Sequence, residues 1–107
     1  ALVNSGLPIN NFCFEGFLPL KKGRLTKLKQ LAGEPRTMVI YESPVRLLKT
    51  LDELMQHMGV ERPCCVSREL SKKFEENFRG SLKQAHDHFS AKAVKGEIVM
   101  VVGGKED

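Results

Sequence analysis

Two short segments of the chain place acids and bases directly after apolar runs. In TMVIYESPVRLLKTLDEL, Thr37 to Leu54, the run Met38-Val39-Ile40-Tyr41 stops at Glu42, and Arg46 stands one helical turn further on. In PCCVSREL, Pro63 to Leu70, a second apolar run stops at Arg68 and Glu69, and Lys72 follows within Ser71-Lys72-Lys73. Carboxylates and cations at strand ends suit a polar pocket, because open α/β sheets take ligands outside the carboxyl ends of their strands. The competing reading is structural: Glu42 caps a nearby amide or pairs with Arg46, as charged groups in loops after buried strands commonly do. If the two strands are neighbours, Glu42, Arg46, Arg68 and Glu69 gather on one rim, either as a site or as an ion-pair network. Lys95-Gly96-Glu97 leads into a third apolar run, and glycine there permits close approach of a ligand or simply serves a turn.

Other chemistries find little support. No Ser/His/Asp or Cys/His arrangement is legible, and neither a GxGxxG turn nor a P-loop is present. Cys13, Cys64 and Cys65 lack CxxC or Cys/His spacing, so a zinc site is not expected and reduced, partly buried thiols are. His86 and His88 stand two apart on a helical segment and face away from each other, which argues against a shared metal. Lys21-Lys22-Gly23-Arg24, followed by Lys27 and Lys29, is either a phosphate grip or a wet helix start.

The elements that must position these groups follow from periodicity. NFCFEGFL, Asn11 to Leu18, alternates up to Gly16 and reads as a strand. Leu25, Leu28, Leu31 and Ala32 form one helical stripe stopped by Gly33 and Pro35. Thr37 to Tyr41 reads as a strand, with a helix from Pro44 that Ser43 would cap and along which Val45, Leu48, Leu51, Asp52 and Met55 recur. A strand over Pro63 to Leu70 comes next, then FEENFRGS as strand or loop, then a helix capped by Ser81 with Leu82, Ala85 and Phe89 inward. GEIVMVVGG, Gly96 to Gly104, is a near-continuous β-branched run and reads as a central strand buried on both faces. The fold expected is α/β, a mixed sheet of about five strands flanked by helices.

Length and charge set the outer bounds. The 107 residues make a single domain, residues 1–107, and 41% apolar content with 28% charged argues against disorder. No apolar run approaches the roughly 18 residues of a spanning helix. The net charge of +4 favours anionic partners, with nucleic acid foremost, although a solvated surface with a basic excess accounts for it too. The beginning, ALVNSGLP, has no initiator Met, basic region or cleavage site, so the expectation is a piece of a longer protein.

Four segments then carry a family likeness: SGLPINNFCFEGFLP, RTMVIYESPVRL, SRELSKKFEENFRG and KGEIVMVV, in that order and across essentially the whole chain. Together they resemble the carboxy-terminal domain of the RsmI family, the 16S ribosomal RNA cytidine 2′-O-ribose methyltransferases within the tetrapyrrole methylase superfamily. The resemblance implies a two-domain enzyme that holds S-adenosylmethionine in the cleft between its α/β domains, with the amino-terminal domain absent here and this piece inactive alone. It implies that this domain supplies the adenosine side of the pocket through Ala1, Leu2, Tyr41, Glu42, Gly96, Glu97 and Ile98. Arg46, Arg68 and Lys72 are then expected to contact RNA phosphate or position the ribose, with Glu42 and Glu69 holding those cations. Val45 stands where the family usually has His, so no residue is assigned a catalytic acid–base role. The implied partners are 16S rRNA of the small ribosomal subunit and a second copy in a homodimer, with no metal, no membrane and a cytoplasmic location. A tetrapyrrole or diphthamide methylase, and a non-catalytic interaction or dimerisation domain, are the alternatives. The first of these calls for a broad apolar trough; the second calls for an exposed apolar face and no cleft.

Overall fold

The computed structural model describes residues 5–7, 11–69, 75–91 and 93–106. Strands and helices run in the order β1 (Phe12–Phe17), α1 (Arg24–Ala32), β2 (Thr37–Glu42), α2 (Leu47–Met58), β3 (Pro63–Glu69), β4 (Glu76–Ser81), α3 (Leu82–Ser90) and β5 (Glu97–Val102). The strands form one mixed sheet in the order β1-β2-β5-β3-β4. β1 and β2 are parallel, β5 runs against both of its neighbours, and β4 runs against β3. The segment left open as strand or loop is thus an edge strand, and the β-branched run is the central one. Strands β2 and β3 are not neighbours, because β5 lies between them. Glu42 and Arg68 nevertheless both stand opposite Ile98, so the two strand tips share one row of the sheet and one rim.

Residues in register point to the same face. Met38, Ile40, Cys64, Val66, Ile98, Met100 and Val102 join the buried faces of the helices in a single core. Each helix is defined by what it contributes there. In α3, Leu82, Ala85 and Phe89 are fully buried, and Ser81 and Gln84 close a reciprocal capping box worth about 1 kcal/mol. In α1 the stripe differs from expectation: Leu25 is 57% exposed, while Arg24 is 8% exposed and shares the inward face with Leu28 and Leu31. In α2 the stripe is shifted by one position, onto Leu47, Thr50, Leu51 and Leu54, and Val45 is 89% exposed. The helix begins at Leu47 rather than Pro44, because residues 44–46 make a turn in which the Arg46 amide donates to the Ser43 carbonyl.

The opposite face of the sheet carries Phe12, Phe14, Phe17 and Tyr41, all exposed, with Tyr41 in edge contact with Phe14 and Phe17. Nearer the centre of that face Val39, Cys65, Ser67 and Val101 are buried, and no helix among the described residues is long and apolar enough to cross a membrane. The three thiols are unpaired with one another and buried, and burial pushes Cys13 up to about 11 and Cys64 up to about 12. At the far end of β5 the chain passes so close to the 35–36 backbone that a Cβ on Gly104 would collide with the Pro35 carbonyl. Gly104→Ala is therefore expected to cost about 2 kcal/mol, read as a lower urea midpoint at unchanged slope.

Candidate functional site

The carboxyl ends of β1, β2 and β3 and the amino end of β5 meet along one rim. A cleft of about 450 Å³ opens there, walled by Phe17, the Tyr41–Pro44 segment and the Gly96–Val99 segment. Five of the residues named from sequence, Tyr41, Glu42, Gly96, Glu97 and Ile98, therefore lie on one concave surface although the two segments are far apart in the chain. Gly96 has φ 89°, a left-handed conformation that side chains disfavour, and it brings bare backbone to the wall. Ala1 and Leu2 lie outside the described residues.

One wall of the cleft is braced by a buried polar chain. The Glu42 carboxylate accepts from the Ser43 amide (2.7 Å), from Arg46 Nε (3.1 Å) and from Thr50 Oγ1 (2.6 Å). Thr50 in turn accepts from Arg24 Nη2 (2.9 Å), and Arg24 also reaches Glu53 (2.7 Å) and the Pro19 carbonyl (2.9 Å). A carboxylate removed from water is tolerated there because both of its oxygens meet donors. The carboxylate of Glu42 is thus committed inward, capping an amide and pairing with Arg46, and the residue serves the cleft as a brace. Ser43, expected as a helix cap, does not act as one. Its buried Oγ has no hydrogen-bond partner among the described residues.

The cations of the rim divide into two separate groups. Arg46 anchors one edge on Glu42, a residue of the cleft wall, while its side chain stays 37% exposed. Arg68 lies two strands away, about 10 Å at ordinary strand spacing. It donates through Nε (3.1 Å) and Nη2 (2.9 Å) to Glu76, whose other oxygen meets His88 Nε2 at 2.8 Å. His88 stacks on Phe78 with ring centroids 4.5 Å apart. Arg68 therefore shares the rim with Glu42 without touching it. Lys72 and the side chain of Glu69 lie outside the described residues.

Sequence reasoning missed Arg24, Thr50, Glu53, Glu76 and His88 as parts of this rim. For Arg24 a signal exists: it recurs with Leu28 and Leu31 on the buried stripe, and a charge at such a position demands internal partners. A second hollow, about 350 Å³, lies at the opposite pole around Pro35, Arg36 and Gly104. Its arginine is already paired with Glu34, whose carboxyl Arg36 holds down to about 2. No group of three potential metal ligands occurs among the described residues.

Comparison with known proteins gives this rim a context. The family model for tetrapyrrole (corrin/porphyrin) methylases matches residues 1–86. The chain is similar to the "Ribosomal RNA small subunit methyltransferase I" of Mesorhizobium japonicum, 46% identical over 99% of this chain and 37% of that protein. The Thermotoga maritima protein of the same name is 44% identical over 99% of this chain and 47% of its own length. The chain thus spans less than half of the curated relatives it matches. Among solved structures, the methyltransferase CobJ superposes with a TM-score of 0.69 at 19% identity, over 97% of this chain and 46% of that one. Uroporphyrin-III C-methyl transferase from Thermus thermophilus, solved with S-adenyl homocysteine, gives 0.61 at 19% identity over 92% of this chain and 46% of that one. These two likenesses establish the fold. With the family model covering most of its length, the chain belongs to the tetrapyrrole methylase family.

Proposed function

We propose that this domain forms the adenosine-side wall and part of the RNA-facing rim of an S-adenosylmethionine-dependent methyltransferase acting on a cytidine ribose of 16S rRNA. The observation that carries the proposal is the convergence of the 41–44 and 96–99 segments on one apolar cleft at the ligand edge of the sheet. The cleft suits a nucleoside. Phe17, Tyr41, Pro44, Ile98 and Val99 offer apolar surface to a flat neutral base, and Gly96 offers backbone at close range. Glu97, exposed on the rim, would accept from ribose hydroxyls. When bound, S-adenosylmethionine supplies a methyl group on a sulfonium centre, whose transfer demands alignment more than a strong electrophile.

The chain's own residues would supply that alignment. The Glu42 brace fixes the Tyr41–Pro44 wall, and Arg46 presents an exposed guanidinium edge to an RNA phosphate. Arg68 extends the same proposed contact along the rim, and Lys72 is assigned to it from the sequence alone. No residue is assigned as the base that removes the ribose proton. The relatives at over 40% identity, named as ribosomal RNA methyltransferases, favour RNA over a porphyrinoid substrate. Such an enzyme would work in the cytoplasm, where ribosomal subunits assemble. The exposed Phe12 and Phe14 on the β1 edge of the sheet support a homodimer, with a second copy against that edge.

The proposal predicts that the full natural polypeptide binds S-adenosylhomocysteine in calorimetry and methylates small-subunit rRNA. Arg46→Ala is expected to lower methylation by about tenfold, equivalent to about 1.4 kcal/mol, and to leave cofactor affinity unchanged. Absence of cofactor binding by the intact protein would reject the reading of the cleft. Undiminished methylation by the variant would reject the role of Arg46.

A further inference from the structure

The basic run that opens α1 is only partly absorbed by the roles above, and the structure sorts its members. Arg24 is buried in the Glu42 brace, and Lys27 pairs with Glu15 at 2.6 Å, holding that carboxyl below its usual range. Lys21 and Lys22 remain exposed, with no anionic partner among the described residues. Beside them stand Leu20 at 64% exposure and Leu25 at 57%, and the loop leaves directly from Phe17 on the cleft wall. Exposed leucines flanking two unpaired lysines are a poor solvated surface and a good match for a polymer that carries both anionic and apolar groups.

The loop is also held firmly in place. The Arg24 guanidinium donates to the Pro19 carbonyl, and the Arg24 amide closes a turn onto the Lys21 carbonyl. Through Thr50, the same guanidinium reaches the carboxylate that sets the cleft wall. One buried hydrogen-bonded chain thus fixes the loop and the wall relative to each other.

We propose that residues 19–23 form a second RNA-binding arm beside the cleft, in which Lys21 and Lys22 neutralise backbone phosphates and Leu20 packs against sugar or base. The inference rests on the RNA-methyltransferase reading and adds a contact surface on the opposite side of the cleft from Arg68. Nucleic acid is favoured over an acidic polypeptide because the arm adjoins a nucleoside-sized cleft and pairs its cations with apolar contacts.

The test uses the full natural polypeptide and a small-subunit rRNA helix, with affinity measured across a salt series. Lys21→Glu with Lys22→Glu should weaken RNA binding by about tenfold or more and reduce the magnitude of the log–log salt slope by roughly two. S-adenosylhomocysteine affinity and melting temperature should not change. Leu20→Asn should weaken RNA binding about threefold at an unchanged slope, since it removes no charge. An unaltered affinity and slope in the lysine variant, with Arg46→Glu still impairing RNA binding, would overturn the arm and leave the methyltransferase reading standing. Failure of the unsubstituted protein to bind RNA would overturn both. A matching loss of binding to polyglutamate would overturn the assignment to nucleic acid.

Discussion

Glu42→Ala is expected to destabilise the domain by about 3 kcal/mol, with a fall in melting temperature on the order of 15 °C. The cause is the company the carboxylate keeps. Its removal leaves the Ser43 amide and the Thr50 hydroxyl without their acceptor, and takes from Arg24 the hydroxyl orientation that supports its Nη2 bond. Burial makes each loss expensive, since water does not replace the missing partner. Arg46→Ala provides the contrast: its side chain is 37% exposed, so its loss should cost no more than about 1 kcal/mol. Urea unfolding of the two variants separates a structural brace from a surface pair. Equal effects would mean that the buried chain through Thr50 carries little stability.

Val99→Trp should abolish most cofactor binding while sparing the fold. Val99 lies on the sheet face away from the helices, opposite Tyr41 on one side and Ser67 on the other, and lines the cleft. An indole there can spread over the half-open face instead of into the core, so the stability change should stay within about 1 kcal/mol. It would occupy the space proposed for a nucleoside. Affinity for S-adenosylhomocysteine is expected to fall by about a hundredfold, or about 2.7 kcal/mol. Calorimetry on the intact protein, paired with a thermal melt, reads both quantities. Retained affinity would place the nucleoside elsewhere.

Much of this architecture is visible along the chain because local rules and tertiary packing agree there. Ser81 with Gln84 and the Leu82, Ala85, Phe89 stripe identify α3 fully, and the β-branched run of β5 announces a central strand. Where they disagree, the sequence misleads. Ser43-Pro44 has the grammar of a helix start, but the Glu42 carboxylate captures the Ser43 amide and a turn follows, so α2 begins at Leu47 and its buried stripe shifts. Leu25 has helical spacing yet faces outward, because Arg24 takes the inward position with partners from α2. Those partners lie 26 and 29 residues away, beyond the reach of any periodicity. The rim was legible as paired strand tips. That Glu42 and Arg68 serve separate clusters was not, since it depends on β5 lying between them and on Glu76 arriving from β4.

The placement of β5 also bears on how the domain assembles. β5 occupies the middle of the sheet, so β1 with β2 and β3 with β4 are joined in it only through residues 97–102. The pairing of β5 with β2 and with β3 therefore joins contacts far apart in the chain, and the Gly96–Val99 wall of the cleft belongs to that same strand. The strand that welds the two halves of the sheet thus also completes the cleft, so a change that loosens β5 reaches both.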